Sequence, residues 1–331
     1  MTPRVSVVIL NWNGLEHLEE CFSALHGQSF TDFEIIFVDN ASSDNSVGWV
    51  RQHEPAARVI QRSDNGGFAR GVNDGIRVSS AEYVALLNND TLAEPGWLAG
   101  LVKALDENAC YGAAASRMML FAEPGMVNSA GDVFRYWRLA GVNRGLGEPA
   151  EHYLTRQRVF GASAGAALYR RSFFDRVGLF DGDFFLLHED TDLNLRATVI
   201  GERFLYVPEA VVQHKHHGSL GRQPQRELQI REWRNKAVLS AKSLPQPLHF
   251  FAPAVLTLAV LRWSVPLRPA NWHLAPERLG MLAEIAREAG EGWADGMRKR
   301  ADVLVRRKVS SAEARRWILK GVGPYEECSS S

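Results

Sequence analysis

Roughly the first 90 residues alternate between short apolar runs and segments of helical periodicity, and this alternation restricts the fold more than any other feature. The runs are rich in Val, Ile, Leu and Phe, which is typical of strands buried on both faces of a parallel sheet. They are Val5–Leu10, Glu34–Val38, Arg58–Gln61 and Tyr83–Leu87. Repeated β-α-β units predict an open α/β sheet, in which ligands bind beyond the carboxyl ends of the strands.

Two helices have predicted ends. The first carries its apolar residues at helical spacing, at Leu15, Leu18, Phe22 and Leu25. Asn13 with Glu16 three residues later resembles a capping box, and Gly27 is a plausible stop. The second helix runs from Thr191 to Ile200 and is closed by Gly201, which places residues 188–190 at its N-terminus. A strand over 202–207 should follow, whereas residues 112–160 show no clear period and are interpreted as irregular sheet and loops.

Composition allows one large domain and an appendage, since the chain has 331 residues of which 46% are hydrophobic. Net charge is zero, which gives no reason to propose a nucleic-acid partner. Residues 1–221 hold 19 Lys and Arg against 27 Asp and Glu, but residues 222–320 hold 19 against 9. We therefore predict a catalytic domain over 1–221 and a basic helical extension over 222–331.

The cysteines and the N-terminus both favour a cytoplasmic location. Cys21, Cys110 and Cys328 are odd in number and lack metal-ligand or redox spacing, so free thiols in a reducing compartment are expected. The N-terminal apolar run is too short for a membrane span and has no signal-peptide cleavage pattern.

Polar residues follow the first two predicted strands. Asn11 to Gly14 come after the first, and Asp39 ends the second. A carboxylate there can accept hydrogen bonds from a nucleobase or a ribose hydroxyl, although Asp39 could equally form a turn. The loop Asn65–Asn73 is rich in glycine and enters a predicted helix, so its N–H groups could bind a pyrophosphate or a sugar. It matches neither the Walker loop nor the dinucleotide fingerprint.

Candidate metal ligands follow two further strands. Asp90 ends the triplet that begins at Asn88, where a carboxylate can bind Mg²⁺ or Mn²⁺ on two phosphates; the alternative is a cap for a helix near Pro95. His214 is followed by His216 and His217, but no Cys or HExxH helix accompanies them as a zinc site would require. We interpret His214 as a metal or diphosphate ligand, and a structural histidine is the alternative.

Three carboxylates lie within four residues at the start of the predicted helix after residue 188. Neighbouring carboxylates and partial burial would raise one pKa, as a general base requires, and Asp190 is the candidate. Asp192, by contrast, has a structural explanation, because carboxylates in a first helical turn interact favourably with the helix dipole.

Seven motifs occur in an order that resembles family 2 glycosyltransferases of the GT-A fold, close to bacterial rhamnosyltransferase-like members. They are VVILNWNG, VDNASSD, NGGFARGVN, LLNNDT, FGASAGAALYRR, LLHEDTDLNLR and VVQHKHHGS. The resemblance covers about residues 4–240 and implies a Rossmann-like, nucleotide-diphospho-sugar transferase fold: an open mixed α/β sheet flanked by helices, with a C-terminal helical extension. It also implies an inverting hexosyltransferase that uses Mg²⁺ or Mn²⁺, with a donor half over about 1–110 and an acceptor half over about 111–221.

The resemblance assigns roles residue by residue. Asp190 is the implied base, and Asp90 with His214 the metal ligands; Asn88 stands where many members have Asp, which leaves one carboxylate fewer. The donor-binding residues are Asn11, Asn13, Asp39, Asn65, Gly67, Phe68, Asn73, Asn88 and Asn89. The acceptor side comprises Ser163, Ala164, Gly165 and Glu189. The implied donor is dTDP-L-rhamnose, ahead of UDP-linked sugars, and the implied acceptor is a growing polyprenyl-linked cell-surface glycan.

The basic C-terminal third contains several Trp residues and a mostly apolar run over 249–265. That run includes Pro253 and Arg262 and is at the short limit for a span, so an interfacial helix on an anionic membrane is expected. The alternatives are a helical cap on the catalytic domain and a homodimer contact. Two other functions also stay open: an inactive nucleotide-sugar-binding scaffold, and a dinucleotide-dependent oxidoreductase, against which the first β-α turn lacks a glycine-rich sequence.

Overall fold

The computed structural model describes residues 2–215, 224–265 and 269–328. Its strands are β1 Val5–Asn11, β2 Phe33–Asp39, β3 Arg58–Gln61, β4 Tyr83–Asn88, β5 Thr91–Ala93, β6 Ala113–Leu120, β7 Val127–Ala130, β8 Asp132–Arg135, β9 Ala140–Asn143, β10 Gln157–Val159, β11 Ala166–Arg170, β12 Phe204–His214 and β13 Val322–Pro324. Its α-helices are α1 Leu15–His26, α2 Ser46–His53, α3 Gly67–Val78, α4 Trp97–Asp106, α5 Arg171–Val177, α6 Glu189–Ile200, α7 Gln225–Ser243, α8 Leu248–Ser264, α9 Ala275–Gly280, α10 Leu282–Val305 and α11 Ser311–Lys320.

Within the described ranges, one large mixed sheet forms the centre of the fold, in the order β13-β10-β12-β6-β11-β4-β1-β2-β3. Strands β1 to β4 are parallel where they pair, and β11 is antiparallel to both β4 and β6. Strand β5 adds to β12 and β7 adds to β6, while β8 and β9 form a separate hairpin. The sheet is flanked by helices and followed by further helices, so the predicted fold class is confirmed.

The four predicted strands are confirmed, three of them with slightly extended ends. The helix after residue 188 is confirmed with Gly201 in the left-handed conformation at its end. The strand predicted at 202–207 continues to His214 as β12. The interpretation of 112–160 as irregular was partly wrong, because β6 is an eight-residue strand in the middle of the sheet. Its Ala-rich sequence carries too little alternation to reveal a strand buried on both faces.

Both faces of the sheet are apolar. In β1, Val7 and Ile9 pack on one face with α1 and α4, whereas Val8 packs on the other face with α3. Helix α3 approaches the sheet closely through two glycines: a Cβ at Gly71 would lie 2.3 Å from Leu10 Cδ1, and one at Gly75 would lie 2.4 Å from Val8 Cγ1. Residues 67–73 of the glycine-rich segment form the first turns of this helix, so the two glycines set the distance between that segment and the strands.

The C-terminal third is mainly helical, and α7 packs extensively against α10. The chain then returns to the sheet, where β13 pairs antiparallel with β10. The predicted boundary at residue 221 stays a prediction, and it lies outside the described residues. Among the helices that the structure describes, none is both long and apolar enough to cross a membrane.

Two of the three cysteines form a disulfide, so the prediction of free thiols was wrong for them. Cys110 and Cys328 are bonded, with their Cα atoms 5.9 Å apart and 218 residues apart in sequence. A bond over that separation leaves no local spacing signal. Cys21 is a free, buried thiol, and burial raises its pKa to about 12. Cysteine content therefore no longer supports a reducing compartment.

The close approach of α3 gives a test of the packing. We expect Gly75→Ala to lower the free energy of unfolding by about 1–3 kcal/mol, because the added methyl group must displace Val8 or the helix. Gly290→Ala is the matched control, since nothing lies within 4 Å of a Cβ at that position in α10. The control should gain up to about 1 kcal/mol from helix propensity. Urea denaturation of both variants would measure the difference, and equal stability would contradict the proposed contact.

Candidate functional site

The polar ends of β1, β2 and β4 lie at one edge of the sheet. Asn11 is paired in register with Asp39, and Leu10 with Asn88, so the three strands end together. Asn89 Nδ2 then donates to Asn11 Oδ1 at 2.7 Å, which links the last strand's loop to the first. The sheet therefore brings together motifs that are distant in sequence at the edge where an open α/β sheet binds ligands.

The loop after β2 is folded around Asp39 and Asn13. Asp39 is buried and its Oδ2 accepts the Ser42 N–H at 3.0 Å. Asn13 has a φ of 52°, and its Oδ1 accepts the Ser43 N–H at 2.7 Å. The predicted capping box was wrong, because Asn13 closes this loop and the first N–H of α1, that of Leu15, is bound by Asp44 at 3.0 Å.

The glycine-rich loop is tied to the β2 end by Asn40, a residue that sequence reasoning missed although it adjoins Asp39. Asn40 Nδ2 donates to Asn65 Oδ1 at 2.7 Å, and its Oδ1 accepts the Gly66 N–H at 3.1 Å. Gly67 has a φ of +75°, and a Cβ there would lie 2.0 Å from the Phe185 carbonyl oxygen. Only glycine fits this close approach.

The same loop contacts the segment before α6 through two other residues assigned to donor binding. The Phe68 N–H donates to Phe185 O at 2.8 Å. Asn73 is buried, donating to Phe180 O at 2.8 Å and accepting the Phe180 N–H at 3.0 Å. The side chain of Asn73 therefore holds the chain near residue 180 against α3.

Asp90 and His214 are brought together by the pairing of β5 with β12, in which Thr91 lies opposite His214. His214 Nε2 lies 3.3 Å from Asp90 Oδ1. Strand β5 separates Asp90 from α4, so Asp90 does not cap that helix. Burial raises the pKa of Asp90, but the hydrogen bond and charge of His214 outweigh it and leave the pKa below its ordinary value. His216 and His217 lie outside the described residues.

The pair suits a divalent cation. Asp90 is only 3% exposed, and its Oδ2 is a buried oxygen with no hydrogen-bond partner in the described part of the chain. His214 Nδ1 lies 3.0 Å from Asn128 Oδ1; a proton on Nδ1 would leave Nε2 as the nitrogen that can bind a metal. The described residues contain no cluster of three His, Cys, Asp or Glu side chains suited to a metal, so a cation here would take further ligands from phosphate or water.

A group of partly or fully buried carboxylates lies at the start of α6. Asp190 Oδ1 accepts the Thr191 N–H at 2.6 Å, and burial raises its pKa against that hydrogen bond. Burial and the charge of Asp190 raise the pKa of Glu189 to about 8 and hold that of Asp132 well above its ordinary value. Asp132, on β8, was not predicted, because it lies in the stretch that showed no period. Like charges so placed favour retention of a proton in the group.

The segment 161–165 lies between the two ends of the site. The Gly165 carbonyl accepts the Asn88 N–H at 2.8 Å, while Ala164 makes a backbone hydrogen bond to Asp190. Ser163 is partly buried and its carbonyl accepts the Ala166 N–H. At Gly165 a Cβ would lie 3.1 Å from Asn88 Nδ2 and 3.2 Å from Met118 Cε, so a larger residue would require these side chains to shift.

The loop that presents Asp190 has an unusual backbone. Leu187 and His188 both have positive φ, 72° and 68°, although neither is glycine. Asn235 on α7 holds them, donating from Nδ2 to Leu186 O at 3.0 Å and to Leu187 O at 2.8 Å. Sequence reasoning missed Asn235, which sits in a helix with no motif around it. Such backbone strain persists where neighbouring groups fix it, and it clusters at functional sites.

Comparison with known proteins identifies the class. A family model described as "Glycosyl transferase family 2" matches residues 6–178, which is more than half of the chain. The chain therefore belongs to glycosyl transferase family 2, as its motifs indicated.

Among relatives, an N-acetylglucosaminyl-diphospho-decaprenol L-rhamnosyltransferase of Mycobacterium tuberculosis is 27% identical over 248 residues, covering 68% of this chain and 80% of the relative. An uncharacterized glycosyltransferase of Haemophilus influenzae is 26% identical over 40% of this chain and 44% of its own length. An uncharacterized protein of Sinorhizobium fredii is 28% identical over 70% of this chain, which spans only 26% of that longer protein.

Solved structures support the fold. A mannosyltransferase of Pyrobaculum calidifontis in complex with GDP-Man and Mn²⁺ aligns over 96% of this chain and 88% of its own, with a TM-score of 0.52 and 20% identity. The S. aureus protein TarS, residues 1–349, aligns over 92% and 90% with a TM-score of 0.56 and 14% identity. At these identities the likeness concerns the fold, which is that of GT-A glycosyltransferases.

The raised pKa of Glu189 predicts a pH dependence of stability. An unfolded glutamate loses its proton near pH 4.5, whereas the folded Glu189 keeps it to about pH 8. The wild type should therefore lose stability relative to Glu189→Gln as pH rises from about 5 to 8, by about 1–3 kcal/mol. Thermal unfolding at a series of pH values would measure this. Parallel curves for the two proteins would contradict the protonated state of Glu189 at neutral pH.

Proposed function

We propose that the protein is an inverting glycosyltransferase that moves a sugar from a nucleoside-diphosphate donor to an acceptor hydroxyl. The observation that carries the proposal is the arrangement along one sheet edge of Asp39, the Asp90–His214 pair and Asp190. These three groups suit, in that order, a nucleoside, a diphosphate with its cation, and a proton-accepting role. Family membership supports the same reaction class.

In the proposed reaction, Asp190 removes the proton from the acceptor hydroxyl, and the oxygen attacks the anomeric carbon of the donor sugar. The bond to the nucleoside diphosphate breaks as the new glycosidic bond forms, so a single displacement inverts the anomeric centre. A Mg²⁺ or Mn²⁺ ion, when bound, would neutralise charge on the departing diphosphate. Asp90 and His214 would hold it, and the amides of Asn88 and Asn89 border the same place.

The substrates are proposed from the relatives. The M. tuberculosis relative is named as a rhamnosyltransferase acting on a diphospho-decaprenol acceptor. We take dTDP-L-rhamnose as the first donor to test and UDP-linked sugars as the next. A growing, polyprenyl-linked glycan of the bacterial cell surface is the proposed acceptor. Such a protein would work in the cytoplasm, on the inner face of the plasma membrane.

The C-terminal helices support a peripheral membrane position. Helix α8 is mostly apolar, and Leu258 and Leu261 are 65% and 52% exposed. Phe250 and Phe251, near its start, are exposed too. Arg and Lys outnumber Asp and Glu in this third of the chain, which favours an anionic surface. An apolar helix face beside basic residues is typical of interfacial binding.

Two substitutions should separate chemistry from donor binding. A donor is first identified by thermal stabilisation with Mn²⁺ across a panel of nucleoside-diphosphate sugars. Asp190→Asn should keep that stabilisation and lose transfer by about 10²–10⁴-fold, because the amide cannot accept the proton. Asp90→Ala should lose the metal-dependent part of the stabilisation.

Unchanged transfer by Asp190→Asn would refute its role as base, and full wild-type activity in EDTA would refute the metal. Failure of the wild type to release nucleoside diphosphate with any donor, metal and lipid-linked acceptor would instead favour the scaffold.

The membrane proposal predicts binding to phosphatidylglycerol-containing vesicles that weakens as salt is raised. Replacing Leu258 and Leu261 together by Ser should reduce cosedimentation by about tenfold, since apolar area no longer enters the interface. Leu146 and Leu154, exposed in the catalytic part, serve as the matched pair for the same change. Equal loss of vesicle binding in both double variants, or no vesicle binding by the wild type, would contradict the assignment of membrane binding to α8.

A further inference from the structure

A cavity next to the start of α6 is lined by none of the residues proposed to bind the donor. It has a volume of about 690 Å³ and lies between the β8–β9 hairpin and helices α7 and α8. One wall includes His188, the residue before Glu189 and Asp190. Gly141 in β9, which also lines it, would place a Cβ 2.5 Å from Thr191 Oγ1, so the hairpin packs directly on the first turn of α6. The cavity thus borders the start of α6 through His188, the residue directly before Glu189 and Asp190.

The cavity is positively charged. Its lining carries Arg138, Lys236 and Arg262 against a single acid, Glu232. Lys236 Nζ donates to Glu232 at 2.6 Å, so that pair is neutral. Arg138 in the hairpin turn and Arg262 on α8 are exposed, and neither has a carboxylate partner in the part of the chain that the structure describes. Guanidinium groups facing one space repel each other, and an anion such as a phosphate between them would turn that repulsion into charge-assisted hydrogen bonds.

Three indole rings provide the other recognition chemistry. Trp137, in the turn between β8 and β9, is 78% exposed at the mouth of the cavity. Trp233 and Trp263 form its wall, with ring centroids 5.9 Å apart in an edge-to-face arrangement. Rigid aromatic surfaces with a few polar groups are typical of small-molecule sites, and they pack against the C–H faces of a sugar.

Helix α8 connects this cavity with the exposed apolar face. Ala259, Arg262 and Trp263 line the cavity, whereas Leu258 and Leu261 of the same turns face solvent. A ligand with its phosphate at Arg262 would therefore have an apolar surface within one helical turn. The position of α8 against the β8–β9 hairpin is fixed by a hydrogen bond. Tyr136 Oη in the hairpin turn donates to Leu248 O, at the start of α8, at 2.7 Å.

We infer that this cavity binds the phosphate-bearing end of the acceptor, a sugar joined through a diphosphate to a lipid chain. The sugar would pack against the indoles with its hydroxyl toward Asp190, the diphosphate would bind Arg138 and Arg262, and the lipid would leave along α8. The inference rests on the proposed transferase function, since it assigns the cavity to the acceptor of that reaction.

The test is a direct binding measurement, which does not depend on turnover. A soluble N-acetylglucosaminyl-diphospho-farnesol is titrated into the full-length protein and followed by tryptophan fluorescence and by calorimetry. Replacing Arg138 and Arg262 together by Ala should raise its Kd at least about tenfold, given the loss of two charge-assisted contacts. Replacing Arg287 and Arg298 on α10 together by Ala removes the same charge outside the cavity and should leave the Kd unchanged.

Three companion measurements identify the ligand chemistry. A farnesyl glycoside of the same sugar without phosphate should bind at least about tenfold more weakly and show no difference between the variants. Trp137→Ala should weaken binding of the diphosphate-linked sugar, whereas Trp272→Ala, which removes an indole that is 61% exposed elsewhere, should not. The nucleoside-diphosphate donor should stabilise wild type and both Arg variants equally.

Several results would overturn the inference. The Arg138 and Arg262 variant could bind the probe like the wild type, or inorganic pyrophosphate alone could bind as tightly as the full probe, which would leave only a phosphate site. If the Arg138 and Arg262 variant lost binding to phosphatidylglycerol vesicles but still bound the probe, the two arginines would form a site for lipid headgroups and not for the acceptor. Probe binding as expected, with no donor consumed, would contradict the transferase and leave the lipid-diphosphate site standing.

Discussion

The buried carboxylate of Asp192 is the interaction on which the position of the site depends. It accepts hydrogen bonds from Arg196 Nε and Lys242 Nζ, both at 2.9 Å, and all three side chains are buried. Lys242 also contacts Asp181 at 2.7 Å, and Lys299 binds Asp181 at 2.8 Å. Breaking a buried ion pair typically costs about 3–5 kcal/mol, because one charge is left without a partner. This network therefore joins α6, α7 and α10 into one unit.

The consequence for the candidate site is that the C-terminal helices help to fix the loop and the helix that carry Asp190. Asp192 lies two residues after Asp190 on α6, so the helix that carries the proposed base is fixed by a lysine from α7. Asn235, on the same α7, holds the left-handed backbone of residues 187 and 188. The sequence pattern indicated an appendage with its own role on a surface. The structure shows that these helices also hold the backbone of the loop before Asp190, and that β13 adds a strand to the sheet.

Whether a feature could be predicted from the sequence depended on whether its interactions are local or arise from tertiary packing. The strands and the helix ends at Gly27 and Gly201 were predictable, since apolar periodicity and glycine punctuation act within a few residues. The separate contacts of Asn40, Asn128, Asp132 and Asn235 were not predictable, because each residue meets its partner only through tertiary packing. The Cys110–Cys328 disulfide was not predicted for the same reason. The capping box predicted at Asn13 was wrong because that pattern considers only neighbouring residues. In the structure the N–H of Leu15 donates to Asp44, in the loop after β2.

The two ends of the site shift the pKa of a carboxyl group in opposite directions. Beside His214 the pKa of Asp90 is lowered, so its carboxylate keeps a negative charge for a cation. At the start of α6 burial raises the pKa of Asp190, Glu189 and Asp132, and the charge of Asp190 raises the latter two further. Groups whose environments push their pKa values apart are the ones suited to divided roles in acid-base chemistry. In the proposed reaction the retained protons on Glu189 and Asp132 limit the negative charge around Asp190, so that a single carboxylate there is left to accept the proton of the incoming hydroxyl.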